Sequence, residues 1–292
     1  MDPAAPHVRV VIVSYECAAH LDRCLRALEA ARDRVPMEVH VVDNASADGS
    51  AEVAAARDWV RLERMPRNAG FAAAANRGLA GAATPAVLVL NPDAHLAPDD
   101  LAACLDRLQD DPATGVLTPM VVDGAGRFDG RCRRGFPTVP AALGFMTGLD
   151  RRYPRLLGGY TMAWRDPGEP ADVVAVSGAV MFIRTEALRA AGGFDERYFM
   201  YGEDLDLCIR IARLGWRVRY WPGATAVHAG GGSGRPPRAR EAFWRSMALF
   251  TRRHRPGAWG LPARLAVTAA TEAAVAAGRL RRWRRDGPPT SR

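Results

Sequence analysis

The N-terminal part of the sequence repeats one pattern, in which a run of β-branched and apolar residues precedes an amphipathic helix. The first run covers residues 8–15, and the helix after it carries its apolar stripe at Leu21, Cys24, Leu25 and Leu28. Further runs follow at residues 38–43, 60–65 and 86–93. Near-continuous apolar runs are typical of parallel strands that are buried on both faces. The sequence therefore predicts an α/β fold with a Rossmann-like, mostly parallel central sheet and helices on both faces.

Polar side chains come directly after three of these strands, in the segments Ser14–Glu16, Asp43–Ser46 and Asn91–Asp93. In open α/β sheets, ligands bind in the crevice beyond the carboxyl ends of the strands, so these segments are expected to meet there. Asp43 and the Asn-Pro-Asp run also suit ordinary turns. The RNAG segment at 67–70 is either a plain loop or a site where the backbone approaches a ligand closely.

Three carboxylates stand together in the stretch YGEDLDLC, at Glu203, Asp204 and Asp206. Apolar residues at helical spacing follow them, which places the acids at a helix N-terminus. Carboxylates are favourable there as caps, by roughly 0.3 to 1 kcal/mol each. One capping Asp would meet that need. The alternative is that one acid is a general base, held on a rigid helix terminus over a reacting hydroxyl.

One carboxylate and one imidazole are candidates for a metal site at the same edge of the sheet. Asp93 ends a buried strand, and His228 follows the last predicted strand. Each has an ordinary alternative, as a turn residue and as a structural histidine respectively. Together they predict a Mg or Mn site whose coordination is completed by phosphate oxygens of a ligand.

Several function classes are excluded by composition. All 40 basic residues are arginine, so neither a Walker-type phosphate loop nor a lysine Schiff base can form. No GxGxxG segment is present, which argues against NAD binding. The five cysteines include no CxxC pair, and the N-terminus lacks an apolar signal core. These features indicate a cytoplasmic protein.

Charge and composition divide the chain into two predicted parts. Residues 1–232 form the main domain, with a variable loop region at 123–172. Residues 233–292 form a basic helical extension, because 14 arginines stand against three acids after position 234. The segment LPARLAVTAATEAAVAAG is interrupted by Arg264 and Glu272 and is too polar to span a bilayer, yet RLRRWRR follows it. This favours peripheral binding to an anionic membrane surface at the inner face of the cell membrane. A helix packed on the body or a nucleic-acid patch are the alternatives, and we expect no nucleic-acid partner.

Six motifs in order resemble those of family 2 glycosyltransferases with a GT-A fold, nearest to bacterial rhamnosyltransferase-like members. They lie in the stretches VSYECAAHLDRCLRAL, VVDNASADGS, RNAGFAAAANRG, LNPDAHL, SGAVMFIR and GGFDERYFMYGEDLDLCIRIARLGW, with His228 after them. The resemblance spans residues 8 to about 232. It implies an inverting transfer of a sugar from a nucleotide diphosphate sugar.

The resemblance also implies roles for individual residues. Asp93 binds the metal, Asp204 is the base, and Glu203 and Asp206 lie on the acceptor side. Two positions depart from the family pattern: Asn91 replaces the first aspartate of a DxD motif, and Glu16 stands where Asn or Thr is usual, so its role is left open. The donor nucleotide sugar would contact Ser14, Tyr15, Glu16, Asp43, Asn68, Gly70, Asn76, Asn91 and Asp93.

The expected reaction is transfer of L-rhamnose from dTDP-L-rhamnose to a saccharide or lipid-linked acceptor, in the synthesis of cell-envelope polysaccharide. A UDP-hexose donor is the alternative within the same class. A nucleotidyltransferase of similar architecture normally carries a glycine-rich, basic loop after the first strand, and VSYECAAH has none. A noncatalytic scaffold that binds nucleotides or carbohydrates is the third reading.

Overall fold

A computed structural model describes residues 7–230, 239–254, 269 and 272 of the chain. Eleven strands are present in this part: β1 Val8–Ser14, β2 Met37–Asp43, β3 Val60–Arg64, β4 Ala86–Leu90, β5 Ala94–Leu96, β6 Thr114–Val122, β7 Arg133–Arg134, β8 Ala171–Asp172, β9 Ala175–Val176, β10 Val180–Arg184 and β11 Arg217–His228. The α-helices of the same part are α1 Ala18–Ala31, α2 Ser50–Ala55, α3 Phe71–Leu79, α4 Pro98–Asp110, α5 Val139–Thr147, α6 Pro154–Leu157, α7 Thr185–Ala191, α8 Glu203–Arg213 and α9 Ala239–His254.

The large central sheet has the order β3-β2-β1-β4-β10-β6-β11-β5, with β8 paired to β11. Strands β1 to β4 are mutually parallel, as their apolar runs predict. Strand β10 is antiparallel to both β4 and β6, whereas β11 is parallel to β6. The prediction of an α/β fold with a central sheet is confirmed, and antiparallel pairs enter in its second half.

Both faces of the sheet are covered by helices. Alternate residues of a strand point to opposite faces, and the central strands carry apolar residues on both. In β1, Val10 and Ile12 join a core with α1 and α4, whereas Val11 and Val13 join a second core with α3, α7 and α8. A strand apolar on both faces can only be buried between two layers. The β-branched run at the start of the chain therefore places β1 in the middle of the fold, with its polar carboxyl end open.

The region 123–172 is more structured than its Gly- and Pro-rich composition predicts. It contains α5, α6, a 3₁₀ turn at Gly130–Cys132, and strand β7, which pairs antiparallel with β9. Thr138 caps α5 by accepting a hydrogen bond from the Ala141 N–H, and Gly148 ends it in the left-handed conformation. These local stop and start signals are clear, but α5 is too short for its periodicity to predict a helix.

Helix α9 lies beyond the domain boundary predicted at residue 232 and packs against α8 and the segment before it. Phe250 is buried in the core beside Phe136, and Ser246 donates a hydrogen bond to the Met200 carbonyl. The basic RLRRWRR segment lies outside the described residues. Among the described residues, no helix is long and apolar enough to cross a membrane.

Candidate active site

The ends of β1 and β2 and the loop after β3 are joined by side-chain hydrogen bonds at one edge of the sheet. The amide of Asn44 donates to the Asn68 side chain at 3.1 Å and to the Gly70 carbonyl at 3.2 Å, and it accepts from the Ala69 N–H at 2.9 Å. Asn68 in turn accepts from the Gly70 N–H. The Asp43–Ser46 and RNAG segments therefore meet at this edge, and Asn44 holds them together.

Glu16 and Asp43 shape the same edge through the loop that follows β2. Glu16 accepts a hydrogen bond from the Ala47 N–H at 2.8 Å, and its own N–H donates to the Ser46 hydroxyl. The buried Asp43 carboxylate accepts from the N–H and the hydroxyl of Ser46, at 2.9 and 2.6 Å. Glu16 has a left-handed backbone with φ of 50°. Its role, left open by the sequence, is to fasten the ends of β1 and β2 to each other.

The remaining residues of this edge differ in the solvent exposure of their side chains. Ser14 is fully buried with its hydroxyl 3.3 Å from the Cys17 sulfur, whereas the Tyr15 side chain is half-buried. Gly70 has φ of +91°, and a Cβ there would lie 2.4 Å from the Phe199 carbonyl oxygen. Only glycine fits this position. The requirement couples the RNAG loop to the segment that leads into α8.

Asn76 is used differently from its expected nucleotide contact. Its amide donates to the Phe194 carbonyl and to the Glu196 carboxylate, both at 2.9 Å, and accepts from the Phe194 N–H at 2.9 Å. These bonds occupy both polar atoms of the side chain. Asn76 therefore holds the GGFDE segment against α3.

Asp93 and His228 are brought together as expected, although they stand 135 positions apart in the chain. Strand β5 and the end of β11 are antiparallel neighbours, and the Ala229 N–H donates to the Asp93 carbonyl. The Asp93 Oδ1 lies 3.2 Å from the His228 Nε2. Adjacent ligands of an octahedral metal with bonds of about 2.1 Å are about 3 Å apart, so the pair fits one metal ion.

These two ligands are insufficient for a cation site made by protein alone. Within the described part of the chain, no group of three or more His, Cys, Asp and Glu side chains is placed to hold a metal. Asn91 supplies an amide where a further carboxylate would stand, and its N–H donates to the Ala179 carbonyl. The donor set suits a metal that arrives with, or is completed by, a diphosphate.

Asp204 is buried at the N-terminus of α8 and forms an ion pair that the sequence did not predict. Its Oδ2 accepts from the Arg134 guanidinium at 2.6 Å and from the Gly178 N–H at 2.9 Å. Its Oδ1 accepts from the Leu205 N–H at 2.7 Å. A carboxylate oxygen has two lone pairs, so Oδ1 keeps one for a further partner. The carboxylate is thus held in a single orientation with one acceptor position left over.

Arg134 reaches Asp204 because β7 pairs with β9 beside the start of α8. Its guanidinium also donates to the Val176 carbonyl and lies 3.4 Å from the Tyr160 hydroxyl. Burial would lower the pKa of Arg134, but the charge of Asp204 outweighs it and raises that pKa above the usual range. Arg134 therefore stays charged in this buried position. Asn91 and Asp204 flank the same segment, through Ala179 and Gly178.

Glu203 lies next to Asp204 in a different electrostatic state. It is buried, and its Oε2 has no hydrogen-bond partner among the described residues. Burial, together with the negative charge of Asp204, raises the pKa of Glu203 to about 8. Near neutral pH, Glu203 is consequently a neutral carboxylic acid beside the Asp204 carboxyl group that pairs with Arg134. Such a pair gives the two carboxyl groups opposite hydrogen-bonding roles, donor and acceptor.

Replacing Glu203 with Gln is expected to change the pH dependence of stability. A raised pKa in the folded state stabilises the fold fully below the unfolded pKa of about 4.3, and this contribution is lost as pH rises through about 8. The wild-type chain should therefore lose stability relative to Glu203→Gln between about pH 5 and 8, by roughly 1.4 kcal/mol per unit of raised pKa. Melting temperatures of both proteins across this range provide the measurement. Parallel curves would show that Glu203 ionises normally.

Asp206, for which the resemblance implies a place on the acceptor side, is engaged between α8 and α9. Its side chain is fully buried, where it accepts from Arg210 at 2.7 Å, from His254 at 2.7 Å and from Arg253 at 3.2 Å. Two helix positions turn a side chain by about 200°, so Asp206 points away from Asp204. It anchors α9 to α8 and has no access to solvent.

The sequence interpretation missed Asn44, Arg134 and His254. Asn44 stands inside the quoted VVDNASADGS motif, so its position next to Asp43 was an available signal. Arg134 is one of 40 arginines and lies in a region read as loop, and nothing local distinguishes it. His254 stands beyond the predicted domain. Its partner Asp206 is visible only when the helices are packed.

Two comparisons by sequence agree on the same family. Residues 9–167 match the family described as Glycosyl transferase family 2, and residues 160–284 match Glycosyl transferase family group 2. The chain is 34% identical over 274 residues to N-acetylglucosaminyl-diphospho-decaprenol L-rhamnosyltransferase of Mycobacterium tuberculosis. The alignment covers 87% of each of the two chains. It is 27% identical over 146 residues to Rhamnosyltransferase WbbL of Escherichia coli, covering 49% of this chain and 51% of that one.

The fold is shared with solved glycosyltransferases. The mannosyltransferase PcManGT from Pyrobaculum calidifontis, solved with GDP-Man and Mn²⁺, superposes with a TM-score of 0.59 at 21% identity. The superposition covers 94% of this chain and 75% of that one, and it confirms the expected GT-A architecture. A family match over more than half of the chain and a relative at 34% identity lead to one conclusion. The chain belongs to glycosyl transferase family 2 and is a glycosyltransferase.

Proposed function

We propose that this glycosyltransferase transfers L-rhamnose, with inversion, from dTDP-L-rhamnose to a lipid-linked saccharide acceptor. The observation that supports transfer most directly is the buried Asp204 carboxylate, held by Arg134 and Gly178 with one acceptor position left over. The names of the two rhamnosyltransferase relatives support the sugar, and the diphospho-decaprenol in one of them supports the lipid-linked acceptor. A UDP-hexose donor is the second candidate, because the residues of the donor edge do not themselves select between the nucleobases thymine and uracil.

The donor would lie along the edge formed by the ends of β1 and β2 and the RNAG loop. The half-buried Tyr15 ring and the backbone at Gly70 would contact the nucleotide, and Ser14, Glu16, Asp43 and Asn68 would shape its pocket through the hydrogen bonds described above. Asn91 and Asp93 then lie toward the diphosphate. A divalent metal, Mn or Mg, held by Asp93 and His228, would neutralise the negative charge of the departing diphosphate.

The proposed chemistry is a single displacement. Asp204 accepts the proton of the acceptor hydroxyl, whose oxygen forms a bond to the anomeric carbon while the bond to the diphosphate oxygen breaks. The electron pair of the broken bond leaves with the diphosphate, and attack on the opposite face of the anomeric carbon inverts the configuration. Arg134 acts as a positioning residue that fixes the Asp204 carboxylate. Neutral Glu203 would donate a hydrogen bond to an acceptor oxygen.

Donor binding should depend on a divalent metal through Asp93. For the wild type, we expect dTDP to bind at least tenfold more tightly with Mn²⁺ than with chelator, because phosphate oxygens complete the metal coordination. Asp93→Ala should remove most of that difference while keeping the weak, metal-free affinity. Titration calorimetry with dTDP, UDP and GDP measures both the metal effect and the choice of nucleotide. Equal affinity with metal and with chelator in both proteins would exclude the metal role.

The proposed acceptor has consequences for the location of the protein in the cell and for the role of its C-terminal part. A transferase acting on a lipid-linked acceptor has to work at a membrane surface. The RLRRWRR segment, which lies outside the described residues, suits an anionic surface through its arginines and its interfacial tryptophan. We therefore propose a protein on the inner face of the cell membrane. Its catalytic domain would comprise residues 1–232, and its basic extension would comprise residues 233–292.

A further inference from the structure

The exposed apolar side chains of this protein are concentrated in one short segment. Seven of the nine large exposed hydrophobic residues in the described part of the chain lie between positions 143 and 164. Leu156 is 76% exposed and Met146 is 58% exposed. The seven residues, here called the apolar patch, are Leu143, Phe145, Met146, Leu149, Tyr153, Leu156 and Trp164. A concentration of this kind marks a site of contact with a membrane, another protein or a ligand.

Four of the seven residues lie on two short helices that pack closely on each other, Leu143, Phe145 and Met146 on α5 and Leu156 on α6. A Cβ at Gly144 of α5 would lie 2.5 Å from the Leu157 carbonyl oxygen of α6, so the two backbones nearly touch. This close crossing leaves no room between the helices for large side chains. Leu143, Met146 and Leu156 therefore remain on the outside, although each could have been buried in a looser pair.

Basic residues border the part of the apolar patch that lies on α5 and α6. Arg151 and Arg152 are exposed between the two helices, and Arg155 is exposed on α6. Asp150, the one acid between positions 138 and 165, is buried and accepts hydrogen bonds from Thr161 and from the Arg151 N–H. Exposed apolar side chains edged by cations are complementary to a layer of anionic phosphates above hydrocarbon.

The apolar patch is connected to the candidate base by two side chains. The Phe145 ring packs against the Tyr160 ring with centroids 5.1 Å apart. The Tyr160 hydroxyl lies 3.4 Å from the Arg134 guanidinium, which in turn holds Asp204. The apolar patch is consequently linked to Asp204 through Tyr160 and Arg134.

We infer that the apolar patch on and around α5 and α6 docks the enzyme on an anionic phospholipid surface, independently of the C-terminal basic segment. The purpose of the docking rests on the proposed lipid-linked acceptor, whose sugar would be presented to Asp204 from the bilayer. The contact itself needs neither donor nor metal. Its apolar side chains enter the headgroup region and its arginines pair with lipid phosphates.

The test uses the full chain and vesicle flotation with phosphatidylcholine alone or mixed with phosphatidylglycerol. The variant Met146→Glu/Leu156→Glu should lower binding to the anionic vesicles at least tenfold, because both side chains are exposed and the change adds charge without disturbing the core. The matched control is Leu214→Glu, which alters a leucine that is 53% exposed at the other end of α8. This control should float like the wild type. Melting temperatures of all three proteins should agree.

A second variant tests the charged border. Arg151→Gln/Arg152→Gln/Arg155→Gln should weaken the preference for phosphatidylglycerol, with the remainder carried by the RLRRWRR segment, and should keep the binding to phosphatidylcholine. Flotation that is unchanged in both patch variants would overturn the inference and leave membrane binding to the RLRRWRR segment. A wild-type dimer in sedimentation that becomes monomeric in the Met146→Glu/Leu156→Glu variant, without any flotation, would also overturn it by showing that a second copy covers the patch.

Failure of this inference and failure of the proposed function give different results. If the donor or acceptor is wrong, sugar transfer is absent in the wild type while flotation still depends on the patch. If the docking surface is wrong, transfer in detergent is intact and flotation is the same in all variants. Correct assignment of both predicts that the patch variants keep transfer to a short-chain acceptor in detergent and lose at least tenfold on the lipid-linked acceptor in vesicles.

Discussion

Replacing Asp204 with Asn is expected to lower kcat by roughly 10²- to 10⁴-fold, because the amide cannot accept the proton of the acceptor hydroxyl. Donor affinity should be nearly unchanged, since the donor edge lies at β1, β2 and the RNAG loop. Initial rates of sugar transfer and donor titrations measure both quantities. An alternative in which Asp204 only caps α8 predicts little change, because Asn caps about as well as Asp.

The ion pair with Arg134 adds a cost that the sequence did not predict. Asn leaves the buried guanidinium without a counter-charge, so we expect part of the 3–5 kcal/mol typical of breaking a buried pair to appear as lost stability. The double variant Arg134→Gln/Asp204→Asn removes both charges and should recover much of that stability. Turnover should stay low in the double variant. Recovery of turnover together with stability would show that Asp204 acts through the fold alone.

Replacing Asp206 with Asn should give the largest loss of stability, about 3–5 kcal/mol, because its carboxylate is the buried partner of two arginines and a histidine. Arg210, Arg253 and His254 all contact it, and its loss would release α9 from α8. Urea denaturation measures the free energy of unfolding. The control is Asp22→Asn, which removes an aspartate paired with Arg26 and Arg57 near the surface and should cost far less.

The same cluster should make the fold sensitive to acid. Burial alone would raise the pKa of Asp206, but the hydrogen bonds and charges of His254, Arg210 and Arg253 outweigh it and hold that pKa below the usual range. The stabilisation is therefore present above the unfolded pKa and is lost as pH falls through the folded one. Asp206→Asn should weaken this acid dependence. An unfolding free energy equal to that of Asp22→Asn would contradict the anchoring role.

Much of the fold could be predicted because its signals are local. The apolar runs of β1 to β4 identify a buried parallel sheet by themselves, and the polar residues at their ends follow from the rule for ligand sites. The antiparallel insertion of β10 between β4 and β6 could not be read from its sequence. A buried strand looks the same in either direction.

The candidate site was predictable where a motif lies on one element and not where it depends on packing. The three carboxylates of GEDLD looked alike in the sequence. Helical geometry sends Asp204 toward Gly178 and Asp206 toward α9, and burial leaves Glu203 neutral. Arg134 joins Asp204 across 70 positions through a two-residue strand pair. No local pattern can identify such a contact.

The most direct measurement is the anomeric configuration of the product made by the purified chain from dTDP-L-rhamnose and a lipid-linked acceptor. The proposed displacement by an acceptor activated at Asp204 predicts one rhamnose transferred per dTDP released, with the configuration of the donor inverted in the product. Asp204→Asn should form this product at least a hundredfold more slowly. A product that retains the donor configuration, or one formed as fast by Asp204→Asn as by the wild type, would contradict the account.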